Sequence, residues 1–352
     1  MPMNRMNRTE FFDKLSGLDE QRLKTALWNL YWRGAAPVRE RIEAELQPVP
    51  PQPRRPAAAP MDPNAVRDEV ITFVTLARSG AYIAGDRRVS PRQRTQWRTE
   101  FARLATDARK ALRAPEPDPA ADALEQLIGL ARETRDHDYF RSDDPMEAAR
   151  FVLSDAAGLL WGHRRDRHGF DAFAASAAPQ LVRWESRYGW TRRGFGQIPL
   201  KETSLATVLK GMLTVTDMWM TFGRHYLDAL DHTPVSNNTR GYSWNSGDYA
   251  RQKRTEDLAE WHTMLLARLS DTEAEDLLDR LVQHRALGGP ELGFLRARLA
   301  HQRGDTATAG TLVTAALGKL PGHQEMLNFA VNIKAPLPTR AREILKGRSI
   351  RQ

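Results

Sequence analysis

The chain has 352 residues, of which 41% are hydrophobic, so it is long enough to bury a substantial core in one large domain or in two. It contains no cysteine, which excludes disulfides, thiolate zinc sites and cysteine nucleophiles. Its formal net charge of +8 comes mainly from arginine, since only nine lysines occur. That balance indicates either a GC-rich genome or a nucleic-acid partner.

The amino-terminal segment lacks the apolar stretch of a secretory signal, because no hydrophobic region follows Arg5 and Arg8. The most apolar long stretch, residues 205–222, contains Lys210 and Asp217, which are costly to place within a lipid bilayer. The sequence therefore predicts a soluble, cytoplasmic protein that does not associate with membranes.

Residues 1–46 are predicted to form a small helical module. Asp19 is a typical helix N-cap, and the helix that follows carries an apolar face widened by Trp28 and Trp32. Pro37 then opens another helix. A module of about 40 residues is too small to be stable on its own core.

A proline-rich linker, residues 47–63, follows the module and is the strongest domain boundary in the chain. Its first part reads QPVPPQPRRPAAAP, whose six prolines exclude a helix and a central strand and predict an extended, semi-rigid segment. The main all-helical domain is then residues 64–333. Residues 334–352 are predicted to be a basic, loosely held tail.

Two capping boxes mark helix starts in the main domain. Ser90 is followed three residues later by Gln93, and Asp144 in the same way by Glu147. The second box is predicted to open a helix that continues through Trp161.

The longest apolar helix is predicted over residues 203–230, as a central core helix. Residues 189–200 and 231–247 are predicted loops, and the second contains Tyr242 and Trp244, which indicate that part of it docks on another surface. Further helices are predicted around residues 249–269, 272–285, 290–303, 306–319 and 323–333. No alternating strand pattern occurs, so the predicted fold class is all-α, a multi-helix array.

Residues 290–321 carry small side chains where two closely packed helices need them. Gly304 and Asp305 form the predicted turn between these helices. The small residues are Ala297, Ala300, Ala309, Val313 and Ala316. This segment resembles a tetratricopeptide repeat, whose roughly 34-residue frame it follows.

The resemblance covers one repeat, and it departs from the family pattern at Gly293, where an aromatic residue is usual, and at Arg296, where leucine is usual. A single repeat cannot bury both of its faces, so this hairpin is expected to stack on preceding helices or on a partner. The resemblance implies protein–protein binding through a concave helical surface, and it implies no chemistry.

Arginines cluster in residues 86–113 and 161–194. If the two segments align, they form a basic face suited to phosphate contacts. The predicted contact residues are Arg87, Arg88, Arg92, Arg164, Arg165, Arg192 and Arg193. Trp184, Tyr188 and Trp190 lie in the second segment, where aromatic rings can stack on bases. The alternative is a solvated helix face beside buried tryptophans.

Two clusters of acidic and histidine residues are candidates for a metal-binding or catalytic site. Residues 136–144 contain a histidine among aspartates, but their spacing fits neither a calcium loop nor a helical zinc motif, and Asp144 is better explained as a helix cap. His163, Asp166 and His168 are either an acid–base group or part of a surface turn. No common catalytic signature occurs, so the sequence predicts no catalytic residue, no metal and no cofactor.

The predicted function is therefore a non-catalytic adaptor or scaffold that binds another protein. Aromatic residues on exposed segments often anchor such interfaces. The predicted contact residues are Trp28, Trp32, Tyr242 and Trp244. Nucleic-acid binding through the two arginine-rich segments is the first alternative, and an enzyme of unknown class is the second.

Overall fold

The structure, a computed structural model, describes residues 6–46, 61–84, 87–233, 246–270 and 274–349. Within these residues it is entirely helical, with seventeen helices and no strand, so the predicted all-α fold class is confirmed. The chain divides into two compact units, Met1–Ala59 and Pro60–Gln352. Most of the predicted linker and loop 234–245, with Tyr242 and Trp244, lie outside the described residues.

The first unit has three helices: α1 (Arg8–Ser16), α2 (Glu20–Arg33) and α3 (Ala36–Leu46). Asp19 caps α2 as predicted, since its carboxylate accepts the backbone N–H of Arg22 at 2.7 Å. Among the described side chains of this unit none is buried. The stacked rings of Trp28 and Trp32 are 57% and 71% exposed. The apolar residues of this unit are therefore accessible.

The second unit begins with α4 (Pro63–Arg78), α5 (Pro91–Ala111), α6 (Asp118–Glu133), α7 (Pro145–Ala149), α8 (Leu153–Trp184), α9 (Leu205–Met212) and α10 (Thr216–Asp231). It continues with α11 (Ser246–Asp257), α12 (Ala259–Leu269), α13 (Glu275–Val282), α14 (Gly289–Gln302), α15 (Thr306–Lys319), α16 (Gln324–Asn332) and α17 (Thr339–Ser349). One large apolar core runs from α4 to α14, and α14 to α17 build a smaller one. Helix α14 contributes to both cores and so joins them. Among the described helices, none is both long and apolar enough to cross a membrane.

Both predicted capping positions are confirmed, but the second opens only a short helix. The hydroxyl of Ser90 accepts the N–H of Gln93 at 3.2 Å, and the carboxylate of Asp144 accepts that of Glu147 at 3.4 Å. Helix α7 then ends at Arg150, which adopts a left-handed conformation with φ 53°. The predicted continuous helix through Trp161 is therefore wrong, because the chain leaves helical geometry before α8 begins.

Glu202 provides the cap that the start of α8 lacks. Val152, at the N-cap position, makes no side-chain capping bond. Instead the carboxylate of Glu202 accepts the backbone N–H groups of Leu153 at 2.6 Å and Ser154 at 2.9 Å. These are N–H groups for which a helix start has no internal acceptor. A residue distant in sequence thus fixes where α8 begins.

We expect Glu202→Ala to lower the free energy of unfolding by about 2 kcal/mol or more, because two N–H groups lose their acceptor. Urea denaturation followed by circular dichroism measures the loss. Asp166→Ala is the control: its carboxylate is 71% exposed and pairs with Arg165, so the expected loss is below about 1 kcal/mol. Equal losses in the two variants contradict the capping role.

The predicted single helix over residues 203–230 is also wrong, because α9 and α10 are separate helices. Thr214 and Val215, which lie between them, are β-branched residues with low helix propensity. The carbonyl oxygen of Leu213 accepts the indole N–H of Trp219 at 2.8 Å instead of a helical N–H. Both helices pack against α8 and α12.

The carboxyl-terminal helices agree more closely with the prediction. Helix α15 has the predicted bounds, and Asp305 caps it by accepting the N–H of Thr308 at 2.9 Å. Helices α14 and α15 pack together as a hairpin across a turn that contains Gly304, with φ 81°. Part of the predicted loose tail is helical: α17 packs on α15, and Ala341 is fully buried.

Candidate binding cavity

A cavity of about 560 Å³ lies in the second unit, between segments that are distant in sequence. One side is the segment 185–204, between α8 and α9, together with the end of α11. The other side is the amino-terminal part of α12, α14 and α16. In the described part of the chain no residue of α13, α15 or α17 lines it. Helices α12, α14 and α16, which alternate along the chain with α13, α15 and α17, therefore face one space.

The wall formed by residues 185–204 is held in place by its own buried groups. The indole N–H of Trp190 donates to the carbonyl oxygen of Trp184 at 2.7 Å, and both rings are buried. The guanidinium of Arg192 donates to the carbonyl oxygens of Thr134 and His137, each at 2.7 Å. The guanidinium of Arg135 hydrogen-bonds to the backbone of the same segment. The non-helical wall is thus rigidly attached to the end of α6.

Glu185 is the buried acid of this cavity, with only 3% of the residue exposed. Its two carboxylate oxygens accept the backbone N–H groups of Ser186 and Ala206, each at 2.9 Å. Burial, aided by the nearby carboxylates of Glu260 and Asp257, raises the pKa of Glu185 to about 7, although its two backbone hydrogen bonds lower the pKa. Near neutral pH this side chain therefore exchanges between its neutral and ionised forms.

A second buried acid, Glu291, is already paired. Its carboxylate lies 2.9 Å from the guanidinium of Arg187 and 3.3 Å from Nε2 of His323. Burial alone raises the pKa of Glu291, but the hydrogen bonds and charges of His323 and Arg187 outweigh burial and lower the pKa overall. The backbone N–H of Arg187 also donates to Asp257 at 3.1 Å. This group therefore contributes an ion pair to the lining of the cavity.

Three acids of the cavity lie in the first turns of their helices: Glu260 in α12, Glu291 in α14 and Glu325 in α16. A helix amino terminus carries a partial positive charge, which stabilises carboxylates in their ionised form. Glu260 also accepts the hydroxyl of Thr207 at 3.0 Å, and Glu325 pairs with Arg298 at 3.0 Å. Three of the carboxylates at the cavity are therefore placed there by helix starts.

His262 lines the cavity without adding positive charge. It is 2% exposed, and its Nε2 lies 2.6 Å from the hydroxyl of Tyr226. Burial lowers the pKa of His262 to about 3, so the ring is neutral at physiological pH.

The arginines predicted to contact phosphate do not line the cavity, and four of them pair with carboxylates. Arg164 pairs with Asp122 at 3.0 Å, and Arg165 with Asp166 at 3.2 Å. The other ion pairs join Arg192 to Asp138 and Arg193 to Asp143. Their charge is therefore partly neutralised.

The predicted arginines of the first segment lie near the amino terminus of α5. Arg87 and Arg92 are exposed, and the guanidinium of Arg88 donates to the carbonyl oxygen of Ser79 at 3.4 Å. Of the three aromatic residues predicted to stack on bases, Trp184 and Trp190 are buried and Tyr188 is 66% exposed. Only Tyr188 among these three presents its ring to solvent.

His163 and His168, which were predicted to form an acid–base group with Asp166, lie near a different aspartate. Nε2 of His168 lies 2.9 Å from a carboxylate oxygen of Asp118, and Nε2 of His163 lies 3.8 Å from the same oxygen. Asp166 pairs with Arg165 instead. Asp118, at the start of α6, therefore takes the place predicted for Asp166.

The aspartates of residues 136–144 serve the fold. Asp138 and Asp143 pair with Arg192 and Arg193, and Asp144 caps α7. Among the described residues no group of three or more acidic, histidine or cysteine side chains is arranged to hold a metal ion.

The sequence did not single out the acidic residues of the cavity, although Tyr188 and Trp190, which were predicted to stack on bases, also line it. Glu260, Glu291 and Glu325 have the position of ordinary first-turn acids, which by itself indicates only a helix start. The sequence contains one signal for Glu185. This acidic residue lies in the aromatic-rich stretch WESRYGW, a context in which a charged side chain is unusual.

Comparison of the chain with models of protein families, with curated proteins and with solved structures yields no match.

Proposed function

We propose that the chain is a non-catalytic adaptor or scaffold, and that the cavity of its second unit binds a segment of another protein. One observation carries the proposal: α12, α14 and α16 line a single cavity, while the helices between them do not. A concave surface of this kind is what the resemblance of residues 290–321 implies. The volume of about 560 Å³ is within the usual range of ligand-binding clefts.

The first unit supplies a second binding surface in this proposal. Trp28 and Trp32 are exposed, and an apolar groove between α2 and α3 is lined by Leu27, Ile42 and Leu46. Tethering by the linker raises the effective concentration of one surface once the other is bound. We expect deletion of residues 1–46 to weaken partner binding by about tenfold or more. Unchanged affinity means that the second unit acts alone.

Site-specific photocrosslinking tests the role of the cavity. A benzophenone amino acid is placed at Tyr188, which lines the cavity and is 66% exposed. The matched control is the same substitution at Tyr249, which is 67% exposed and does not line the cavity. We expect a discrete protein adduct at position 188 in cells that make the chain, and none at position 249. No adduct at 188, or the same adducts at both positions, contradicts the proposal.

Nucleic-acid binding stays a prediction with less support. The ion pairs of Arg164, Arg165, Arg192 and Arg193 reduce the positive charge available to phosphates. A gel-shift series over salt concentration tests it, since phosphate contacts give a steep salt dependence.

A further inference from the structure

The cavity has a charge opposite to that of the chain. Seven carboxylates and two guanidinium groups line it, whereas the chain as a whole has a net charge of +8. The acidic residues are Glu185, Glu202, Glu256, Asp257, Glu260, Glu291 and Glu325. General composition therefore does not account for this local excess of negative charge.

The two arginines are already engaged. Arg187 pairs with Glu291, and Arg298 pairs with Glu325. Lys253, from outside the lining, pairs with Asp257 at 3.3 Å. Across the described chain the remaining four carboxylates form no ion pair: Glu185, Glu202, Glu256 and Glu260.

Two of these four have other roles. Glu202 caps α8, and Glu256 accepts the side-chain amide of Gln252 at 2.8 Å. Glu260 likewise accepts the hydroxyl of Thr207 at 3.0 Å, but it lies near the buried Glu185, whose pKa its charge raises. Each oxygen of Glu185 accepts one backbone N–H, and a carboxylate oxygen can accept two hydrogen bonds. Glu185 is thus a deeply buried carboxylate that lines a cavity and has no cation beside it.

The rim adds an aromatic face. The ring of Tyr188 is 66% exposed and already has two guanidinium groups close to it, with Arg135 at 5.7 Å and Arg187 at 5.8 Å from its centroid. Cations are attracted to such faces, and the apolar part of a long basic side chain packs well against them. The exposed part of this ring can therefore pack against the apolar stem of a long basic side chain.

We infer that the cavity binds a lysine or arginine side chain presented by the partner, with Glu185 and Glu260 as the acceptors of its charge. This rests on the proposed function, because it assumes that the ligand is a protein segment. Binding pairs the cation with the ionised form of Glu185, so it is coupled to loss of a proton from that group. We expect the affinity at pH 6 to be about tenfold weaker than at pH 8, since Glu185 titrates near pH 7.

Selection from a displayed library of random peptides tests the inference on the full chain. A protein of charge +8 attracts acidic peptides non-specifically. Enrichment of basic peptides therefore points to the cavity. We expect enriched peptides to contain a lysine or arginine whose replacement by glutamine weakens binding at least about tenfold, a loss typical of a hydrogen-bonded charge pair.

Substitutions at three positions complete the test. Glu260→Lys should abolish binding, whereas Asp217→Lys should not, since Asp217 is an exposed first-turn acid of α10 that does not line the cavity. Glu185→Gln should remove the tenfold pH effect between pH 6 and pH 8. If that variant folds poorly, Glu260→Gln, at an exposed position, replaces it and should weaken binding of the basic peptides.

The results distinguish failure of the cationic ligand from failure of the proposed protein-binding function. Neutral or acidic peptides that bind the native chain but not Glu260→Lys overturn the cationic ligand and leave the protein-binding function standing. Titration with free spermidine and with N-acetylarginine amide tests whether the cavity binds a cation that is not part of a protein. If either of these small cations binds as tightly as the enriched peptides, the cation site stands and the protein partner is overturned. Peptides that bind equally to Glu260→Lys overturn both.

Discussion

Trp261→Ala should lower the free energy of unfolding of the second unit by about 4 kcal/mol, the usual loss for a large aromatic side chain deleted from a core. The residue is fully buried. Its ring stacks on Trp219 at 5.4 Å and meets the edges of Phe222 at 5.2 Å and Tyr226 at 5.7 Å. Truncation to alanine leaves a void among three other aromatic rings, which cannot close without moving α10.

Trp32→Ala is the matched control, because it removes the same side chain from a position that is 71% exposed in the first unit. We expect it to leave the unfolding of the second unit unchanged. Urea denaturation is followed by far-ultraviolet circular dichroism, since tryptophan fluorescence is altered by both substitutions. A midpoint for Trp261→Ala that equals that of Trp32→Ala contradicts the role of this aromatic cluster.

Trp261→Phe refines the expectation. Among the described residues, the buried indole nitrogen of Trp261 has no hydrogen-bond partner. Phenylalanine removes this unsatisfied donor and keeps one aromatic ring in the cluster. We therefore expect the loss to be less than half of that for alanine.

Substitution of Glu185 should change how stability depends on pH. Between pH 4.5, the ordinary pKa, and about 7, the folded chain retains a proton that the unfolded chain has released. The contribution of Glu185 to stability therefore falls as pH rises, by about 1.4 kcal/mol for each pH unit. Relative to Glu185→Gln, the native chain should lose about 3 kcal/mol over this window.

His262 should give the opposite slope. Its pKa is lowered from 6.5 to about 3, so between these values the unfolded chain binds a proton that the folded chain does not. Stability from His262 therefore rises with pH, again by about 1.4 kcal/mol for each pH unit. Relative to His262→Gln, the native chain should gain stability from pH 3 to 6.5.

Between pH 4.5 and 6.5 the contributions of Glu185 and His262 to the pH dependence of stability have opposite slopes and cancel in the native chain. The Glu185→Gln variant therefore shows the slope due to His262, and the His262→Gln variant shows the slope due to Glu185. Urea denaturation of the three proteins at half-unit pH intervals measures the differences. The variants control for each other, since a general effect of substitution would give both differences the same sign. If the free energy of unfolding depends on pH in the same way in all three proteins, the shifted pKa values of Glu185 and His262 are contradicted.

Local signals in the sequence determined where many helices begin and end. Asp19, Ser90, Asp144 and Asp305 cap helices because their side chains accept N–H groups two or three residues ahead, an interaction that needs no distant partner. Periodic apolar positions likewise determined the fold class. Helix α15 therefore has the bounds that were predicted for it.

Tertiary structure decided where long apolar stretches break. Helix α8 begins at Leu153 because Glu202, far along the chain, caps it, and α9 ends where the carbonyl of Leu213 meets Trp219. No local pattern contains such partners. The sequence therefore predicted one helix over 203–230 where the chain forms two.

The cavity depends on tertiary structure in the same way. Its acids come from positions between 185 and 325, and each is unremarkable in its own segment. The local excess of negative charge arises only when α12, α14 and α16 lie opposite the wall formed by residues 185–204, and the raised pKa of Glu185 depends on its burial and on the nearby Glu260 and Asp257. The sequence by itself determined an all-helical chain of mainly basic charge. Packing alone placed an acidic cavity within it, because burial and proximity are properties of the folded chain and not of any one segment.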